Sequence, residues 1–247
     1  MTEAEWLAAT DPTRMLSFLV GKASDRKLRL FAVASATRAW HLLDADVFRS
    51  AITSSERAAD GEISPDELRA TLQAASEVLE RRTDAQSRDE RGQLGTNLNP
   101  AVVAARQRLY AAGVATHVAG QDTFFVASMT PLSTAMALSH GYAPNYEVPG
   151  QGVREVLDEH GPPDADALRC LFGNPFRLVA LDRSWLTSTV VALANGIYAD
   201  RAFDRLPILA DALQDAGCDN ADVLTHCRGD GPHVRGCWVV DLLTGRA

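Results

Sequence analysis

Ser24-Asp25-Arg26-Lys27-Leu28-Arg29-Leu30-Phe31-Ala32-Val33-Ala34-Ser35-Ala36-Thr37-Arg38-Ala39-Trp40-His41-Leu42 reads as a helix. Ser24 supplies a side-chain oxygen for the unpaired N–H groups of a first turn. Leu28, Phe31, Ala32, Ala34, Ser35, Ala39 and Leu42 then recur at helical spacing. Arg26, Lys27, Arg29 and Arg38 make this the most basic part of the chain. Long cationic side chains cover apolar surface while their heads stay in water, so a solvated face is expected here.

The same signals recur on both sides. Thr2 with Glu5 forms a capping box, and Asp11-Pro12 opens a second helix. The segment Asp46 to Ala59 ends at Asp60-Gly61, and Ser64-Pro65-Asp66-Glu67 starts another helix. Asp60, Gly61, Ile63, Ser64 and Glu67 match the second half of a calcium loop. The first half fails, because Glu56 stands where an aspartate is wanted and Ala58 offers no oxygen. Residues 77–91 read as a polar, exposed helix end. Asn99-Pro100 restarts a helix, and residues 122–140 read as a buried helix pair.

Residues 141–152 are rich in glycine and proline and lose helical spacing, which makes them the expected linker. Gly150 and Gly152 begin a nucleotide-binding fingerprint, but no third glycine and no preceding strand follow. After a loop at Gly161-Pro162-Pro163, helices are expected at Asp166 to Phe172, Thr189 to Asp200, and from Leu206 through Ala216, the last closed by Gly217. A short helix to Cys227 and a final one from about His233 to Leu243 complete the chain. No hairpin signal appears. The expected fold is all-α: about ten short helices, packed as one globular unit or as two lobes, 1–140 and 153–247.

The chain has 247 residues, 46% of them hydrophobic, enough for a substantial core. Its formal net charge of -8 argues against general nucleic-acid binding, which needs a cationic surface. No apolar run approaches the roughly 20 residues that span a bilayer. Met1-Thr2-Glu3-Ala4-Glu5-Trp6 lacks the cationic start and apolar stretch of a secretory signal. A cytoplasmic location with free thiols or metal ligation, rather than disulfides, is therefore expected.

The chemistry-bearing residues concentrate near the end. Cys218, His226, Cys227, His233 and Cys237 fall within twenty residues. Zinc takes such nitrogen and sulfur ligands as a tetrahedron of four. The spacing matches no standard finger, and adjacent His226-Cys227 would supply only one ligand. With the last helix starting at His233, His233, Cys237 and Asp241 would share one face. A Cys–His nucleophile is a further reading, with Cys227 or Cys237 beside His226 or His233 and Asp241 as orienter. The plainest reading is a packed helical corner, with Cys218 and Cys237 as small buried residues. Its polar residues His226, Arg228, His233, Arg235 and Asp241 are then the candidate binding surface. Cys170, in Leu168-Arg169-Cys170-Leu171-Phe172, reads as a core position. Arg228-Gly229-Asp230 matches an adhesion tripeptide by chance.

Residues 174–245 resemble a family of uncharacterised proteins abundant in planctomycete bacteria. The matching words are Gly173-Asn174-Pro175-Phe176-Arg177, Ala202-Phe203-Asp204-Arg205-Leu206-Pro207, Leu209-Ala210-Asp211-Ala212-Leu213, Ala216-Gly217-Cys218 and Gly231-Pro232-His233-Val234-Arg235-Gly236-Cys237-Trp238. Thr2 to Leu7 and Gly21 to Phe31 look similar to it as well. The resemblance implies no established activity. Family members often carry a cysteine pair where this chain has Ser35-Ala36, a departure that weakens any cysteine centre on that helix. With no phosphate loop, paired carboxylates or nucleophile elbow, the expected role is non-catalytic: a helical protein–protein interaction or scaffolding module that uses no cofactor and binds neither nucleic acid nor membrane. Zinc binding is the alternative, and a cysteine-dependent hydrolase a further one.

Overall fold

The computed structural model describes residues 1–92, 100–118, 120, 122–139 and 158–246. Among these the chain is all-α, with no strand. The helices are α1 (Glu3–Ala8), α2 (Pro12–Leu19), α3 (Asp25–Thr37), α4 (Asp46–Ala59), α5 (Pro65–Gly92) and α6 (Pro100–Val118), then α7 (Thr123–Leu138), α8 (Pro162–Phe172), α9 (Ser188–Asp200), α10 (Leu206–Asp215), α11 (Ala221–Arg228) and α12 (Trp238–Thr244). None of the described helices is long and apolar enough to cross a membrane. The expected linker at 141–152 lies outside the described residues.

The caps form as the sequence predicts. Thr2 and Glu5 make a reciprocal box at the start of α1, and Ser64 and Glu67 make another before α5. Ser24 Oγ accepts from the Lys27 N–H. Gly217 adopts φ +88 after α10, and the Cys218 N–H returns to the Leu213 carbonyl at 2.9 Å, closing the helix. Several boundaries differ from expectation. Helix α3 ends at Thr37 rather than reaching Leu42, and the helix pair expected over 122–140 is the single helix α7 with Pro131 inside it. Helix α8 begins at Pro162, because two prolines fit a first turn that needs no N–H donors. Helix α12 begins at Trp238, with Cys237 as its cap.

The chain forms two compact units, one comprising Thr10–Asp164 and the other Met1–Ala9 with Ala165–Ala247. In the first, α3 to α7 pack around Ala32, Ala36, Phe48, Ile52, Ala111 and Ala115. The many alanines let helices approach closely. The basic face of α3 is not simply solvated. Arg29 is buried, and its guanidinium donates to the Gly120 carbonyl at 2.9 Å, satisfying backbone just past the end of α6. Arg26 pairs with Asp60 at 3.0 Å, so the aspartate of the half calcium loop serves an ion pair. Arg38 pairs with fully buried Asp164 at 2.7 Å.

The second unit joins the first nine residues to the C-terminal helices. Trp6 is 0% exposed, and its indole N–H donates to the Gly173 carbonyl at 3.0 Å. Arg169 donates to the carbonyls of Trp6 and Ala9, and Glu3 meets Asn174 and Arg177 at 2.7 and 2.6 Å. Around this clamp, α9 to α12 bury Val190, Ile197, Leu206, Leu209, Val223 and Val239.

Candidate metal centre

Four ligand-bearing side chains converge within the second unit. Cys170 projects from the last turns of α8, and His226 from the end of α11. His233 sits in the irregular segment that follows, and Cys237 is the cap of α12. One ligand atom from each lies within 4.8 Å of all the others. His226 Nε2 is 3.2 Å from Cys237 Sγ, and His233 Nδ1 is 3.8 Å from Cys170 Sγ. A tetrahedron drawn with zinc–sulfur and zinc–nitrogen bond lengths has edges of about 3.3–3.8 Å. The two distances of 3.2 and 3.8 Å are close to those edges, and no pair in the set is farther apart than 4.8 Å.

The atoms behind the ligands fit that role. His233 Nε2 lies 3.1 Å from the Gly229 carbonyl oxygen. A carbonyl only accepts, so Nε2 carries a proton, and as a metal ligand the ring would offer Nδ1, the nitrogen nearer Cys170. Such outer hydrogen bonds fix the tautomer of a ligating histidine. The Val234 N–H donates to Cys170 Sγ at 3.4 Å, a contact that favours a thiolate. The His226 ring stands against those of His233 and Trp238, at centroid distances of 4.9 and 5.5 Å.

Electrostatics separate the cysteines into two kinds. Burial would push the Cys237 thiol up. Hydrogen bonds with Cys170, His226 and His233, with the field of His226, outweigh it and hold Cys237 well below the ordinary thiol value. Burial likewise opposes the charged form of His233, but the Cys237 sulfur and the Gly229 carbonyl raise it above the usual imidazole value. Cys227 is shifted in the opposite sense to Cys237. Burial, then the neighbouring Cys237 and Cys218 sulfurs, push its thiol far up. Cys218 is raised mainly by burial.

Of the residues that the sequence nominated, His226, His233 and Cys237 come together. Cys218 and Cys227 do not join them and pack into the apolar core of the unit. Cys227 follows His226 by one residue, so a helical step of 100° turns it to the other face. The fourth member is Cys170, which sequence patterning assigned to the core. It is buried, yet its sulfur is the one that completes the set. The expected His233, Cys237, Asp241 helix face does not exist, because His233 precedes the helix. The candidate surface is also redrawn: Asp241 is buried, and both imidazoles are half-buried against the sulfurs. Arg235 lies over the Tyr198 ring at 4.7 Å. Arg228 is exposed and pairs with Asp211 at 2.8 Å.

Gly173 sets the distance between the two cysteine-bearing elements. It ends α8 at φ +62, and a Cβ there would meet the Trp238 ring at 3.1–3.2 Å. Gly173→Ala thus combines left-handed strain with displacement of the residue next to Cys237. The expected cost is about 2–4 kcal/mol, read as an earlier denaturant midpoint together with weaker metal retention. A wild-type midpoint would show that neither constraint holds.

No protein-family description, curated protein or solved structure matches this chain.

Proposed function

We infer that the chain is a non-catalytic helical module whose C-terminal unit is stapled by one zinc ion on Cys170, His226, His233 and Cys237. The observation that carries this reading is the convergence of two sulfurs and two imidazoles within 4.8 Å. Four protein ligands leave no open position for a substrate, which is the pattern of structural rather than catalytic zinc. The ion would tie α8, α11 and the start of α12 together where they otherwise meet through one small core. Thiolate ligation suits a reducing compartment, consistent with a cytoplasmic setting, and the module's work would be to present helical surface to a protein partner.

The contact of His226 with Cys237 also suits a Cys–His nucleophile. Cys237 is 0% exposed, however, and no substrate carbonyl can reach its sulfur without opening the unit. Elemental analysis of protein purified without chelators decides the matter. Zinc at one ion per chain is expected. Metal-free protein that also fails to take up added zinc would sink the proposal.

A further inference from the structure

We propose that Cys170 and Cys237 form a dithiol–disulfide pair whose oxidation by a hydroperoxide expels the metal. The consequence for the metal rests on the zinc reading; the cross-link itself does not. These two residues supply the sulfurs of the cluster, and the sulfurs lie within 4.8 Å. A disulfide is about 2.0 Å long, so closure needs a shift of less than about 3 Å. Cys170 is held in α8, while Cys237 ends the non-helical segment 229–237 and follows Gly236 at φ +88. That segment is the side that can yield. All four cysteines are buried in the core of this unit, and among the described residues Cys170 and Cys237 are the two whose sulfurs belong to the ligand cluster.

The chemistry closes. Cys237 Sγ attacks one peroxide oxygen, the O–O bond breaks, and the leaving oxygen departs as an alcohol (water, from hydrogen peroxide). Cys237 is then a sulfenic acid. Cys170 Sγ attacks that sulfur, the S–S bond forms, and hydroxide leaves and takes a proton to become water. Two thiolates, one hydroperoxide and two protons thus give one disulfide, one alcohol and one water, with two electrons passing from sulfur to peroxide. In the zinc-loaded chain both sulfurs are already thiolates and His226 is a ligand, so the protons that complete the alcohol and the water come from solvent. A disulfide is no longer the thiolate that zinc requires, and two imidazoles remain where the tetrahedron needs four ligands. Cys170 and Cys237 are 2% and 0% exposed, so a peroxide reaches their sulfurs only when the unit opens locally, and oxidation is slower than at an open thiol.

The test uses the intact, zinc-loaded chain. Hydrogen peroxide is added in steps, released zinc is read with a chromogenic chelator, and denatured, alkylated peptides are read by mass spectrometry. Zinc release in step with a Cys170–Cys237 cross-link is expected, with Cys218 and Cys227 still alkylated and binding restored by dithiothreitol. A cross-link to Cys218 or Cys227, sulfinic acids without a cross-link, zinc retained by the cross-linked chain, or no oxidation would each overturn it. A chain that takes up no zinc refutes the metal reading and its release. The same spectrum on that metal-free chain then decides the cross-link, whose absence overturns the pair as well.

Discussion

Cys170→Ser is expected to give a chain that purifies without zinc and whose C-terminal unit melts far below the wild type. Serine keeps the size of the side chain but is no thiolate, so one of four ligands is lost. A ligand that binds only the folded state stabilises it by about 4 kcal/mol when its free concentration is a thousand times Kd. At roughly 4–8 °C per kcal/mol for a small domain, that corresponds to about 15 °C or more. Thermal unfolding can be followed by tryptophan fluorescence, since Trp6, Trp185 and Trp238 all lie in this unit. Chelator added to wild-type protein should reproduce the loss, and chelator added to the variant should do nothing. Cys227→Ala is the contrasting change. It removes a buried core sulfur and should cost about 1 kcal/mol while leaving zinc at full occupancy. Equal metal content in Cys170→Ser and wild type would refute the assigned ligand set.

Trp6→Ala should destabilise the same unit by about 3–5 kcal/mol, the usual cost of emptying a large aromatic site. Trp6 is fully buried although it stands six residues from the start of the chain, and its partner Gly173 is 167 positions away. Trp6→Phe separates the two contributions, because phenylalanine keeps much of the packing but leaves the Gly173 carbonyl without the indole donor. About 1 kcal/mol of the loss should remain in that variant. Chemical denaturation of the three proteins measures both steps. A Trp6→Ala midpoint within error of wild type would mean that α1 does not belong to this unit in solution. Gly173 links the two predictions, since it holds the Trp6 indole on one side and the Trp238 ring on the other, three residues beyond Cys170.

How far the site was legible follows from the range of the forces involved. His226, His233 and Cys237 stood out because they crowd one short stretch. Adjacent His226-Cys227 yields a single ligand, yet with Cys218, His233 and Cys237 the stretch still offered four, so no deficit signalled that another residue would take the place of Cys218. Nothing local marks Cys170 as that residue. Leu168 and Leu171 around it declare a buried helix face, and a thiol on such a face reads as core whether or not it meets a ligand. Its partner His233 lies 63 positions away. The basic face of α3 shows the same limit. Arg29 sits on a helix at the expected spacing, but only the packed structure brings the carbonyl of Gly120, 91 positions on, to its guanidinium.

By itself the sequence determined the all-α class and most of the helix starts. Capping oxygens, prolines in first turns, glycine after α10 and the 3.6-residue apolar period all act within a few residues, so they are written where they act. The tertiary structure decided which helices share a unit, that the first nine residues belong with the last eighty or so, and which four side chains face one another. Those outcomes depend on how buried faces pack, and burial does not specify its partner. A thiol 63 positions from an imidazole becomes a candidate ligand only when α8 and α12 close on Gly173 and Trp238.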